Sequence, residues 1–408
     1  MKDGFQRLLL LSNTFLPHAG GSRVMYFNLF KRLAAAGDEV TIVTAKVPGW
    51  EAFDTAEQTP RFRILRKFEP ASDHSWSQIP KMLGPAWFAL ARVVFRRPDV
   101  LHCGDLFPIG LVSVLLKKTL RVPLVVYCHG ENITQTDRRH FQPRLRNLVY
   151  SSADAVVANS DFTVAHLERI GIDAKRIHKI TPGLDAAVFF PEPQDRALRS
   201  RYGIGDERVV MTIARLDPRK GHDRVLRALA ALRDCVPPFK YVIVGKGERE
   251  AELRKLTIDL QLQDKVIFAG FVATQDLNHY YNMADIVAMP NIDLDGNVEG
   301  FGMVFLEANA AGKPVIGGRS GGTIEAVVDG ETGFLVDPGN EGELVEALRK
   351  LLGDDELRKR MGEQGLQRVR GEFDWDSRAA ALQRINAEVV KTSTGAMQRD
   401  RMASSGDH

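Results

Sequence analysis

Short runs of aliphatic and β-branched residues alternate with stretches of helical periodicity along almost the whole chain. In the first half, RLLLLS, EVTIVTA, DVLHC, PLVVYCHG, DAVVANS and RIHKITPG predict the strands of a buried sheet. Between them, SRVMYFNLFKRLAAAG and DFTVAHLERIG repeat apolar residues at helical spacing, and Gly37 stands where the first of these helices would be capped. The second half repeats the rhythm with RVVMTIARL, KYVIVGKG, KVIFAG, ADIVAMP, KPVIGG and GFLVDP as strands. This alternation predicts an α/β chain with two doubly wound parallel sheets, and two such domains would face each other across a central cleft at the carboxyl ends of their strands. The join is expected near PEPQD, Pro191 to Asp195, where two prolines interrupt both patterns. That gives a first domain over 1–190, a second over 195–372, a helix over 373–391 packing back towards the first domain, and a disordered polar tail over 392–408.

A chain of 408 residues is too long for one ordinary core, so composition agrees with the two-domain reading. Three scattered cysteines, with no CxxC pair, argue for a reducing cytoplasm and against a disulfide frame or a zinc site. The apolar run near the N-terminus is short and reads as a first strand rather than a signal peptide, and nowhere do eighteen apolar residues follow one another. Charge changes the picture more. Residues 1–190 hold 25 Lys and Arg against 17 Asp and Glu, whereas the remainder holds 30 against 35. A basic first half suits an anionic membrane surface, and WSQIPKMLGPAWFALARVVFRR sets Trp76, Trp87, Phe88 and Phe95 beside Lys81, Arg92, Arg96 and Arg97, with more arginines in DRRHFQPRLRNLVY. The alternative is that the aromatics pack inside while the arginines stay solvated. Dispersed arginines without interleaved aromatics argue against a nucleic-acid partner.

The candidate chemistry lies at the strand ends. After RLLLLS come Gly20 and Gly21, just before a helix start, where a ligand can approach backbone N–H groups. They form no GxGxxG, no acid follows the second strand and no Walker A sequence occurs, which argues against a nicotinamide dehydrogenase. His129 and Gly130 end PLVVYCHG in the same way, where a lone histidine serves either a ligand or the structure alone. In ARLDPRKG, Arg215 and Lys220 stand five apart across a turn, a planar fork and a point charge suited to a diphosphate or simply a basic loop. Gly245 and Gly247 end one strand and Gly270 another, and each could line a flat base or merely turn. Finally, EGFGMVFLEANAAGKPVIGG sets Glu299 at the mouth of a helix and Glu307 two turns inside. On one helix the two would lie about 12 Å apart along the axis and about 80° apart around it, so they suit an extended ligand and not a single atom.

Together these pieces resemble the retaining glycosyltransferases of family 4, which have the GT-B fold of two Rossmann-like domains. The resemblance covers about residues 7–390 and rests on the Glu299-x7-Glu307 spacing, Gly20–Gly21, His129–Gly130, ARLDPRKG, VGKG and SGGTIEAVVDGETGFLV, all in the family's order. It implies an acceptor-binding first domain and a second domain that binds a nucleoside-diphosphate sugar. It implies that Glu299 faces the donor sugar and Glu307 the ribose, with the backbone of Phe301, Gly302 and Met303 reaching sugar hydroxyls. Arg215 and Lys220 would hold the diphosphate, approached by Gly20 and Gly21. His129 would contact the sugar at its 6-hydroxyl or orient it. The phrasing is most similar to mannosyltransferases that use GDP-mannose, with UDP-sugars as the other option. The implied acceptor is a glycan, a lipid-linked or a small-molecule hydroxyl, as in polysaccharide biosynthesis. The expected place is the cytoplasm, with peripheral contact at the inner face of the membrane. Alternatives are a nucleotide-sugar epimerase of the same fold and a non-catalytic nucleotide-sugar-binding relative. No metal is expected: Asp293 and Asp295 spell DLD, but in a loop rich in Asp and Gly they read as turn residues.

Overall fold

The computed structural model describes residues 5–18, 20–68, 96–130 and 142–405. The chain forms two units, Met1–Thr181 with Trp375–His408, and Pro182–Asp374.

The first unit is built on a parallel sheet of β1 (Arg7–Leu11), β2 (Glu39–Ala45), β3 (Phe62–Phe68), β4 (Val100–Cys103), β5 (Leu124–Cys128), β6 (Ala155–Ala158) and β7 (Ile177–Lys179), in the order β3-β2-β1-β4-β5-β6-β7. The second has β8 (Arg208–Ile213), β9 (Phe239–Val244), β10 (Val266–Gly270), β11 (Ile286–Met289), β12 (Val315–Gly318) and β13 (Gly333–Val336), ordered β10-β9-β8-β11-β12-β13. Each order reverses once, between β1 and β4 and between β8 and β11, and loops at such a point leave room for a ligand beyond the carboxyl ends of the strands.

The unbroken apolar runs follow from burial on both faces. In the second unit Val209, Met211, Val242, Val244, Val287 and Met289 belong to one core, while Val210, Tyr241, Ile243, Ile286 and Ala288 belong to the other. One strand escaped the sequence pattern. In β3, FRILRKF, arginines break the apolar run, because it is an edge strand paired only with β2. Its Arg66 is nonetheless buried, in an ion pair with Asp54 at 2.9 Å.

Three boundaries differ from expectation. The units divide at Thr181–Pro182, and the Pro191–Asp195 stretch lies inside the second. There the Phe190 and Glu192 N–H groups donate to the amide oxygens of Asn278 and Asn282, at 3.0 and 2.9 Å, so the prolines mark a docked segment and not a linker. The last helix starts at Trp375 and groups with the first unit, where Arg32 binds Asp376 at 2.8 Å and Leu382 is fully buried. The expected disordered tail over 392–408 is instead helical as far as Ser405, and the Thr392 and Thr394 hydroxyls return hydrogen bonds to the carbonyls of Glu388 and Val390.

Candidate functional site

In the second unit the loops after β8, β11 and β12 converge on Glu299. The chain leaving β8 makes a 3-10 turn over Pro218–Lys220, capped by Asp217, which accepts the Arg219 N–H at 2.9 Å. This turn drives Arg219 inward. Its side chain is buried and its Nη1 donates to Glu299 Oε2 at 2.6 Å, while Lys220 Nζ donates to the same oxygen. Burial alone would raise the Glu299 carboxyl, but the charges of Lys220 and Arg219 and their hydrogen bonds outweigh it and hold the group at about 2. Glu299 is therefore an anion at neutral pH and a weak base.

The backbone around Glu299 is pinned from the other side. Gly322 N–H donates to the Glu299 carbonyl at 2.9 Å, and a Cβ on Gly322 would stand 2.0 Å from the Gly300 carbonyl oxygen. Only glycine admits that approach, which explains the SGG motif at this place. Gly302, with φ of +92°, then caps the Met303–Ala310 helix without a side-chain cap, leaving first-turn N–H groups for a ligand. Phe301 sends its ring into the core against Phe373, so its contribution to a ligand can only come from its backbone.

Glu299 thus precedes the helix, and Glu307 lies about one turn inside it instead of the two turns expected. Glu307 accepts from the Tyr281 hydroxyl at 2.5 Å on Oε2, and burial raises its carboxyl against that bond. Its Oε1 takes no hydrogen bond from the described residues and is an acceptor in waiting.

Arg215 and Lys220 differ in setting. Arg215 extends into solvent beside Asp217, at 3.2 Å, whereas Lys220 is nearly buried against Glu299. Gly245 donates its N–H to the Gly270 carbonyl at 2.8 Å, and its Cα lies so close to the Ala214 carbonyl that a Cβ would stand 1.9 Å away. Its glycine identity therefore seats the ARL segment that carries Arg215.

Asp295 and Gly296 both have positive φ, and Leu294 and Asn297 exchange backbone hydrogen bonds at 3.2 and 3.0 Å across them. This is a tight hairpin turn of the type that Asp-Gly favours, with Asp293 accepting the Gly296 N–H at 2.6 Å. Among the described residues no group of three or more His, Cys, Asp or Glu could hold a metal ion.

In the first unit Gly20 caps, and Gly21 begins, the Gly21–Ala35 helix that follows β1. Asp105, after β4, fixes the same loop by accepting from the Ser12 hydroxyl at 2.8 Å and the Asn13 N–H at 2.6 Å. His129 follows β5, with Nε2 at 2.8 Å from the Tyr26 hydroxyl. Burial, and then the charge of Arg23, lowers His129 to about 4, so the ring is neutral at pH 7. Sequence reading missed Arg219 and Tyr26. One is the middle cation of PRK, the other an aromatic at a core spacing, and neither pattern separates them from ordinary surface and core residues.

Of the residues considered for lipid contact, Trp76, Lys81, Trp87, Phe88, Arg92 and Phe95 lie outside the described residues, as does the start of DRRHFQPRLRNLVY. Arg146, in its described part, is buried. No helix among the described residues is long and apolar enough to cross one.

The family profile "Glycosyltransferase Family 4" matches residues 19–188, and "Glycosyl transferases group 1" matches residues 194–368. A GDP-mannose-dependent alpha-(1-6)-phosphatidylinositol monomannoside mannosyltransferase of Mycobacterium tuberculosis is 32% identical over 384 residues, 92% of this chain and 97% of the relative. A D-inositol 3-phosphate glycosyltransferase of Corynebacterium glutamicum is 29% identical, over 91% of this chain and 92% of the relative. Among solved structures, a sucrose-phosphate synthase of Thermosynechococcus elongatus superposes with a TM-score of 0.81 at 24% identity, covering 95% of this chain and all of that one.

Proposed function

The chain belongs to glycosyltransferase family 4 and uses a nucleotide-sugar donor, and on that premise we propose that it transfers mannose from GDP-mannose, with retention at the anomeric carbon, to a hydroxyl of an inositol-containing glycolipid. The donor and acceptor rest on the mannosyltransferase relative named above. The observation that carries the catalytic reading is Glu299 fixed as an anion by two cations on one oxygen.

A carboxylate held at about 2 is a poor proton acceptor at pH 7, since a general base works best with a pKa near the operating pH. Its role is to accept hydrogen bonds from donor-sugar hydroxyls and to stabilise the positive charge of an oxocarbenium-like transition state. Covalent glycosidase chemistry would need two carboxyl groups about 5 Å apart across the bond. Glu307 serves differently: it is anchored by Tyr281 and offers Oε1 to the ribose hydroxyls. Lys220 has three N–H donors, so it can keep Glu299 and still bind a phosphate oxygen. With Arg215 it stabilises the charge that grows on the leaving diphosphate. Gly20 and Gly21 offer backbone N–H groups to phosphate oxygens, Gly245 lines the base, and the N–H groups around Phe301, Gly302 and Met303 reach sugar hydroxyls. His129, neutral, contacts the 6-hydroxyl of the transferred sugar. The leaving phosphate takes the acceptor's proton on the same face of the sugar, and no metal takes part. A lipid acceptor requires the enzyme to work at a membrane surface, and we propose that it sits there peripherally, on the cytoplasmic side.

The test is incubation with radiolabelled GDP-mannose and phosphatidylinositol mannosides, with UDP-glucose and inositol phosphate as alternatives. Label in the lipid phase from GDP-mannose alone supports the proposal. Transfer only from the UDP-sugar, or only to inositol phosphate, overturns the donor or acceptor assignment. An epimerised nucleotide sugar without transfer overturns the whole. A thermal-shift comparison of GDP, UDP and ADP ranks the bases independently, because ligand binding raises apparent stability.

A further inference from the structure

The Tyr26 hydroxyl stands between two groups, the Gly104 carbonyl oxygen at 2.7 Å and His129 Nε2 at 2.8 Å. A phenol has one proton to give, and a carbonyl oxygen can only accept. Both contacts are hydrogen bonds only when Tyr26 donates to Gly104 and His129 Nε2–H donates to Tyr26. With the proton on Nδ1 instead, Nε2 and the Gly104 carbonyl would compete for a single donor, and one would be left without a partner in a buried place. The rings are held as firmly as the protons. Tyr127 stacks on His129 at 6.4 Å with planes 6° apart, and Tyr26 meets His129 edge-on at 5.4 Å and Tyr127 at 5.0 Å. Nδ1 receives no hydrogen bond from the described residues.

We propose that Tyr26 is a positioning residue: its hydroxyl locks His129 in the Nε2–H tautomer and so presents Nδ1 as a hydrogen-bond acceptor to a sugar hydroxyl. The proposal rests on the reading of His129 as a substrate contact given above. It also defines what His129 selects. The lone pair on Nδ1 takes a hydroxyl that donates, and it repels an oxygen that can only accept, such as a carboxylate or a methyl ether at the same place on the sugar.

The decisive measurement is nitrogen NMR of the full-length chain labelled on histidine, with the His129 signals identified by their loss in H129Q. Wild type is expected to carry its proton on Nε2 and an unprotonated Nδ1 at neutral pH. In Y26F the lock is removed, so the two tautomers mix and turnover falls about tenfold, the worth of one hydrogen bond, with GDP affinity unchanged. A wild-type proton on Nδ1 overturns the proposal without any change at Tyr26. So does a Y26F protein with the wild-type tautomer and turnover. Full turnover in H129Q overturns instead the substrate role of His129, and the tautomer measurement separates that failure from the first.

Discussion

The two units share one sheet plan and use it with opposite electrostatics. Around the switch point of the second, Arg219 and Lys220 converge on one oxygen of Glu299 and hold its carboxyl low, at about 2, although it is largely buried. At the corresponding point of the first, His129 and Tyr26 form a neutral pair, and burial disfavours the charged form of each. Charge suits the charges that develop on a leaving diphosphate and on an oxocarbenium-like sugar, whereas a neutral donor and acceptor pair reads a hydroxyl by direction more than by field strength. Strand order does not choose between these uses. The loop residues do.

The comparison breaks most visibly at Glu299. Glu299→Ala should lower turnover by about 100- to 1000-fold, the scale seen when an electrostatic stabiliser is removed. It should also lose about 3–5 kcal/mol of stability, because the buried Arg219–Glu299 ion pair loses one partner. Adding Arg219→Met should restore most of the denaturant midpoint but none of the turnover. Recovery of both would make the cluster structural only.

Lys220→Ala and Arg215→Ala each remove a cation assigned to phosphate, and each should weaken GDP binding about 10- to 100-fold in calorimetry. Wild-type affinity in either variant would refute its assignment.

The neutral histidines sharpen the contrast through pH. His129 and His222 are lowered to about 4 and His102 to about 3, with burial the leading cause in each. The folded chain binds these protons less tightly than the unfolded one, whose histidines titrate near 6.5. Their contribution is fully present above that value and is lost as pH falls from 6.5 towards 4. Thermal midpoints should decline over this interval, and His102→Phe should flatten the decline. Two of the three lie in the first unit, so hydrogen exchange should show that unit loosening first.

The smallest effect is expected from Asp293→Asn with Asp295→Asn. Both positions shape a hairpin turn that asparagine also accepts, so turnover should change less than about twofold and excess EDTA should not alter it. Activity abolished by EDTA and restored by manganese would reverse the assignment of charge to Arg215 and Lys220.

What the sequence by itself determined is whatever period and spacing encode: the buried parallel strands, the Asp-Gly turn and the glutamate pair at positions 299 and 307. These are local properties, since a strand buried on both faces must be apolar throughout and a turn with two positive φ angles selects its residues. Tertiary structure decided the rest. Arg215, Arg219 and Lys220 are equivalent cations in the sequence, but the 3-10 turn buries the second, leaves the first in solvent and brings the third to the same carboxylate oxygen. The edge strand β3 was masked by its arginines, one of which finds Asp54 only in the folded unit. Tyr26 reads as a core aromatic until β4 and β5 bring Gly104 and His129 to its hydroxyl. Burial and partnership join residues far apart along the chain, so no local pattern can announce them.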